Sequence, residues 1–153
     1  MSQLYSEAAQ LVRGAVERRQ GLGRARSDAA YALAADTLRF REALETTAEA
    51  AQFWTSREAR KTDRYLLLVL LRELLLRGQI AGGGKSRQAV LAHRARLQAE
   101  FARLKIRRKA VADDDLADKP AMVVAHYARI NRLRVGEAGV CGSKGRVGGG
   151  HIR

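Results

Sequence analysis

The chain has 153 residues, 46% of them apolar, with a formal net charge of +13 and a pI of about 11.0. That length suits one ordinary domain, and that apolar fraction excludes a fully disordered chain. The charge points to an acidic partner, nucleic acid ahead of an anionic membrane, and the lone Cys141 excludes an intrachain disulfide or a cysteine-cluster zinc site.

The N-terminal stretch MSQLYSEAAQLVRG lacks the uninterrupted apolar core of a signal peptide. Glu7 and Glu17 argue against a mitochondrial presequence. Leu4, Ala8, Leu11, Val12, Ala15 and Val16 recur at helical spacing and predict a first amphipathic helix, ended by Gln20-Gly21-Leu22-Gly23. Ser27 or Asp28 caps a second, in which Ala30, Leu33, Thr37, Phe40 and Leu44 form the apolar face. Thr46-Thr47 is the expected bend before a short apolar run, Ala48–Trp54.

Ser56 or Thr62 caps the next helix, which runs to Arg77 and stops at Gly78. Leu66, Leu67, Leu70, Leu71, Leu74 and Leu75 cover more than half its circumference, so it is expected at the centre of a bundle. Its longest apolar run, Tyr65–Leu71, falls far short of the ~20 residues that span a bilayer. A glycine turn, Ala81–Gly84, leads into Ser86–Lys109, read as one basic helix with Val90, Leu97, Phe101 and Leu104 as its buried stripe. Arg96, Arg103 and Arg107 flank that stripe on one side; Arg87, Arg94 and Lys105 flank it on the other.

From Lys85 to Lys109 nine basic residues face one acid, Glu100, so this stretch carries +8 of the total charge, whereas residues 1–84 carry +3. Clustering of this kind suits phosphate neutralisation with little sequence preference. Phe101 is expected to be buried, which leaves little for base stacking and favours a structured RNA backbone over single-stranded bases. Val111–Lys119 with Pro120 reads as an acidic linker whose Asp113–Asp115 can fold back on the arginines. Met122–Val135 reads as strand, and the glycine-rich end from Gly136 as disordered. The expected fold is all-α: a bundle of about four to five helices over 1–110, a linker over 111–120, a strand-like segment over 121–135 and a tail over 136–153.

Signals for chemistry are weak. Gly82–Ser86 (GGGKS) resembles a phosphate loop, but Gln79 stands where that motif needs glycine. The aspartates lack the spacing of a cation loop, and His93, His126, His151 and Cys141 are not arranged as ligands or as a nucleophile with its base. No catalytic, cofactor-binding or metal-binding residue is assigned.

Taken in order, LYSEAAQLVRGAVERRQG at 4–21, YALAADTLRFREALE at 31–45, YLLLVLLRELLLRGQIAGGGK at 65–85, HRARLQAEFARLKIRR at 93–108 and HYARINRLRV at 126–135 resemble the N-terminal region of the Nol/Nop/Sun family of RNA cytosine-5 methyltransferases. The resemblance is to the branch acting on large-subunit ribosomal RNA and spans residues 4–135. It implies a helical region followed by a small RNA-recognition-like subdomain, whose Arg-hydrophobic-Asn sequence is matched by Arg129-Ile130-Asn131. It further implies structured rRNA as partner, S-adenosylmethionine as the full-length family's cofactor and a nucleolar location. From the residues themselves a monomer with no membrane partner is expected, the apolar stripe of the basic helix being narrow and without interfacial tryptophan. In that family the Rossmann domain and catalytic cysteines lie further on. The expectation is therefore an RNA-docking module cut before its catalytic domain and silent alone. The residues expected to meet RNA are Arg87, Arg94, Arg96, Arg103, Lys105, Arg107, Arg108, Lys109, Arg129 and Asn131. The alternative is a standalone basic helical module that binds protein.

Overall fold

A computed structural model describes residues 3–18 and 21–117. The described residues contain α-helices α1 (Gln3–Arg18), α2 (Asp28–Arg39), α3 (Arg41–Ala50), α4 (Arg57–Arg60), α5 (Arg64–Arg72), α6 (Lys85–Leu91) and α7 (Arg94–Arg107). A π-helical turn, Glu73–Arg77, prolongs α5, and a 3-10 turn, Asp113–Leu116, follows α7. No strand occurs among the described residues, so the all-α expectation holds there. The strand-like segment 121–135 and the tail 136–153 lie outside them.

The expected centre of the bundle is correct. Every residue from Leu66 to Leu71 is buried, and Leu74 joins them from the π turn. A helix apolar on all sides must be enclosed. Here α1, α2, α3 and α6 pack against α5, and α7 closes on the π turn and on α3. Phe53, Leu44, Leu97 and Leu104 complete the core from the surrounding elements.

The helix count rises because two periodic stretches are each divided. The first break falls at Phe40 rather than at Thr46-Thr47: Phe40 leaves helical geometry (φ −102°, ψ 8°) to bury its ring, with the Arg39 guanidinium 5.2 Å above it. Thr47 stays inside α3 because its hydroxyl donates to the Ala43 carbonyl at 2.8 Å, satisfying the one polar group that burial would orphan. The second break, at Ala92-His93, splits the expected basic helix into α6 and α7. There the His93 N–H bonds to the Val90 carbonyl, one residue short of the α-helical register. Among the caps, Ser27 opens α2 by accepting from the Ala30 N–H (3.2 Å), and Ser56 opens only the short α4. The cap of the long helix is Asp63, neither Ser56 nor Thr62; its carboxylate accepts from the Tyr65 N–H and also holds Arg13 at 2.6 Å.

The π turn buries a carboxylate. Glu73 is 2% exposed, paired with Arg72 (3.2 Å) and Arg77 (3.5 Å), while Arg72 also grips Asp36 of α2 at 2.5 Å. Gly78 ends the turn at φ +90°, in the left-handed region glycine enters without steric penalty. The glycine turn after it is tied at both edges of Ile80-Ala81. The Ala81 N–H donates to the Tyr5 hydroxyl at 3.0 Å, and the Arg87 Nε–H donates to the Ile80 carbonyl at 3.1 Å. The start of the expected acidic linker is folded onto the bundle: Leu116 is 2% exposed, and the Asp115 carboxylate accepts from the Val111 and Ala112 N–H groups at 2.9 Å each.

Truncating Leu67→Ala, at the fully buried centre of α5, should cost about 2–5 kcal/mol in equilibrium denaturation. Gly78→Ala should cost about 1–2 kcal/mol by forcing a β-carbon into left-handed backbone, although open space surrounds the position.

Candidate nucleic-acid interface

Helix α7 has 14 residues and extends about 21 Å. Leu97, Phe101 and Leu104 are its buried face, at the spacing expected from the sequence. The opposite face is Ala95, Ala99, Ala102 and Ile106, all exposed, with Ile106 at 76%. Arg94, Arg96, Arg103, Lys105 and Arg107 occupy the shoulders between these two faces, where a long side chain can lie along the helix and keep its charge in water.

The cations expected to meet RNA differ in what they already hold. Arg94, Arg96, Arg107 and Lys109 are exposed and make no ion pair with any described residue. Arg103 is exposed and paired with Glu100, three residues back. Lys105 is half-buried, with its ammonium 5.2 Å from the centroid of the Phe101 ring and paired with Asp113. Arg108 makes a two-pronged contact with Glu42 of α3, at 2.8 and 2.5 Å, and so fastens the end of α7 to the bundle. Arg87, on α6, spends its Nε–H on the glycine turn. Arg129 and Asn131 lie outside the described residues.

The fold-back expected of the aspartates is present in part. Asp113 reaches Lys105 of α7, whereas Asp114 lies 3.4 Å from Arg39 at the end of α2. The 3-10 turn therefore neutralises charge at one end of α7 and leaves the Arg94–Arg96 end clear. Arg107, Arg108 and Lys109 also lie where the negative end of the helix dipole falls, which stabilises them by about 0.3–1 kcal/mol each without any ligand.

Sequence reasoning missed a second basic cluster. Arg57, Arg60 and Lys61, on and just after α4, are exposed and make no ion pair with any described residue. Between them Glu58 reaches toward α7, its carboxylate 3.7 Å from His93 Nε2. His93 is half-buried and stands edge-on to Phe53 at 5.5 Å. The interspersed acids Glu58 and Asp63 dilute this cluster along the chain.

The described residues contain no group of three or more histidine, cysteine or acidic side chains placed to hold a metal. No helix among them is long and apolar enough to cross a membrane.

Comparison with known proteins shows which family the chain is similar to. Residues 29–117, more than half of the chain, match the model for the NOL1/NOP2/Sun domain family member 5, N-terminal domain. The chain is 36% identical over 110 residues to a 28S rRNA (cytosine-C(5))-methyltransferase of Mus musculus. It is 28% identical over 106 residues to the 25S rRNA (cytosine-C(5))-methyltransferase rcm1 of Schizosaccharomyces pombe. Each alignment covers 68% of this chain and 23% of the relative, so the chain spans about a quarter of the length of the curated relatives it matches. No solved structure matches it.

Lys109 has φ +53° and closes the end of α7, with the Ala110 N–H bonded to the Lys105 carbonyl at 2.9 Å. Lys109→Gly should raise stability by up to about 1 kcal/mol by removing a β-carbon from left-handed backbone. A higher denaturant midpoint would show it.

Proposed function

The chain belongs to the family of the NOL1/NOP2/Sun domain family member 5 N-terminal domain, and from that footing we propose that its helical unit docks on structured large-subunit ribosomal RNA. The enzyme it serves would be an S-adenosylmethionine-dependent rRNA (cytosine-5) methyltransferase acting in the nucleolus, with the chain a monomer. The observation that carries the reading is α7: a rigid helix fixed to the core by three apolar side chains, with exposed cations on its shoulders that no described acid neutralises. Such a surface gathers phosphates, releases their counterions and discriminates little between sequences.

The described residues form no sheet and no strand-to-helix glycine turn of the sort that cradles a nucleotide. They are therefore given no part in holding S-adenosylmethionine or in methyl transfer. Their task is positional: to hold the substrate RNA by its backbone. Within the set of expected RNA contacts, Arg94, Arg96, Arg107 and Lys109 are the ones we assign to phosphates, with Arg103 and Lys105 beside them. Arg87 and Arg108 serve the fold. The rival reading, a protein-binding module, draws on two exposed apolar side chains near the end of α7, Ile106 and Val111, the latter 96% exposed.

The test is a salt titration of binding to a base-paired large-subunit rRNA fragment. For R94Q/R96Q/R107Q/K109Q the log–log salt slope should fall by about three, because each lost phosphate contact removes about 0.7–0.9. The binding of R87Q and R108Q should match that of the parent chain while their melting temperatures fall. Binding by the quadruple variant equal to that of the parent would sink the reading. Binding insensitive to salt but lost in Ile106→Ser would favour the protein-binding module.

A further inference from the structure

We infer that α4 is a second phosphate-binding element, so that RNA is held along two cationic tracks rather than along α7 alone. This rests on the docking role given to α7 above. In the single turn of α4, Ala59 points into the core, which directs Arg57 and Lys61 to the opposite, outward side and sets Arg60 on a flank. All three are exposed and make no ion pair with any described residue. Nearby acids are already committed: Asp63 to Arg13 at 2.6 Å, and Glu45 to Arg41 and Arg64 at 3.5 and 3.6 Å.

The two tracks meet at one contact. Glu58 of α4 approaches His93, the residue that begins α7 and leads onto the same shoulder as Arg96, Arg103 and Arg107. Helix α4 also packs on α6, so its position relative to the start of α7 is fixed by the fold. Two rigid rows of cations beside each other suit the phosphates of a folded RNA. Single-stranded RNA would need stacking surfaces, and no aromatic ring among the described residues is exposed; Trp54 lies beneath Arg64, whose guanidinium is 4.2 Å from its ring centroid. The ligand class is therefore the phosphodiester backbone of base-paired RNA.

The experiment compares the parent chain, R57Q/R60Q/K61Q and E58Q in a potassium chloride titration against a base-paired rRNA stem. Circular dichroism melting checks that each remains folded. The triple variant should lose about two from the salt slope and bind about tenfold more weakly. Replacing Glu58 removes a negative charge from the α4 track, so E58Q should bind more tightly, a gain that a purely structural role for α4 would not produce. If both α4 variants match the parent while the α7 quadruple variant loses binding, α4 is excluded and the docking role of α7 stands. If the parent chain fails to bind the stem, the docking role falls, and this inference with it. Should the triple variant keep RNA binding but lose binding to phosphatidylserine vesicles, the α4 cluster is a membrane contact and the inference is overturned.

Discussion

The burial of α5 on every side is the constraint from which the remaining arrangement follows. Six consecutive apolar residues, Leu66 to Leu71, cannot be covered by one neighbour, so helices must surround them. Each of those side chains loses about 1.5–3 kcal/mol of stabilisation if left in water. Charge is admitted to this centre at one place, the π turn, where Glu73 lies between Arg72 and Arg77 and Arg72 is tied to Asp36. Breaking such a buried pair strands an ion, which is more damaging than the pair is stabilising. None of the other described cations is buried, and seven of them lie on α7 and the two residues that follow it.

Two populations of arginine result, and only geometry separates them. Arg108, Arg87 and Arg72 are used inside the protein: the first joins α7 to α3, the second holds the glycine turn, the third links α2 to α5. Arg94, Arg96 and Arg107 hold nothing among the described residues. Cations that no described acid engages can meet a polyanion without first surrendering a salt bridge. The 3-10 turn is an exception at one end of α7, where Asp113 would compete with a phosphate for Lys105.

The sequence revealed what depends on local periodicity. The leucine helix, its stop at Gly78, the stripe Leu97-Phe101-Leu104 and the Ser27 cap all follow from spacings within a turn or two, and all are present. The family resemblance agrees with the match over residues 29–117. What could not be read depends on packing partners distant along the chain. The break at Phe40 is set by where its ring must be buried, not by the β-branched threonines that follow. The division at His93 coincides with a contact to Phe53, forty residues earlier in the chain. Arg108 was grouped with the expected RNA contacts because its partner, Glu42, is 66 residues away. The α4 cluster was hidden by interspersed acids whose commitments to Arg13 and His93 emerge only in the fold.

The outward face of α7 has a thermodynamic consequence. Long side chains lose up to about 1.5–2 kcal/mol of rotamer freedom when fixed, whereas alanine has none to lose. Ala95, Ala99 and Ala102 can therefore be covered by a partner at no side-chain entropic cost, and they let its surface come close to the helix backbone. The ordering penalty of association falls on a few arginines and lysines at the edges, where each immobilised chain is offset by a charge contact. A helix with glutamines or lysines along that crest would present the same net attraction or more, yet lose more freedom on contact. On such a crest, economy of motion adds to whatever charge contributes to association.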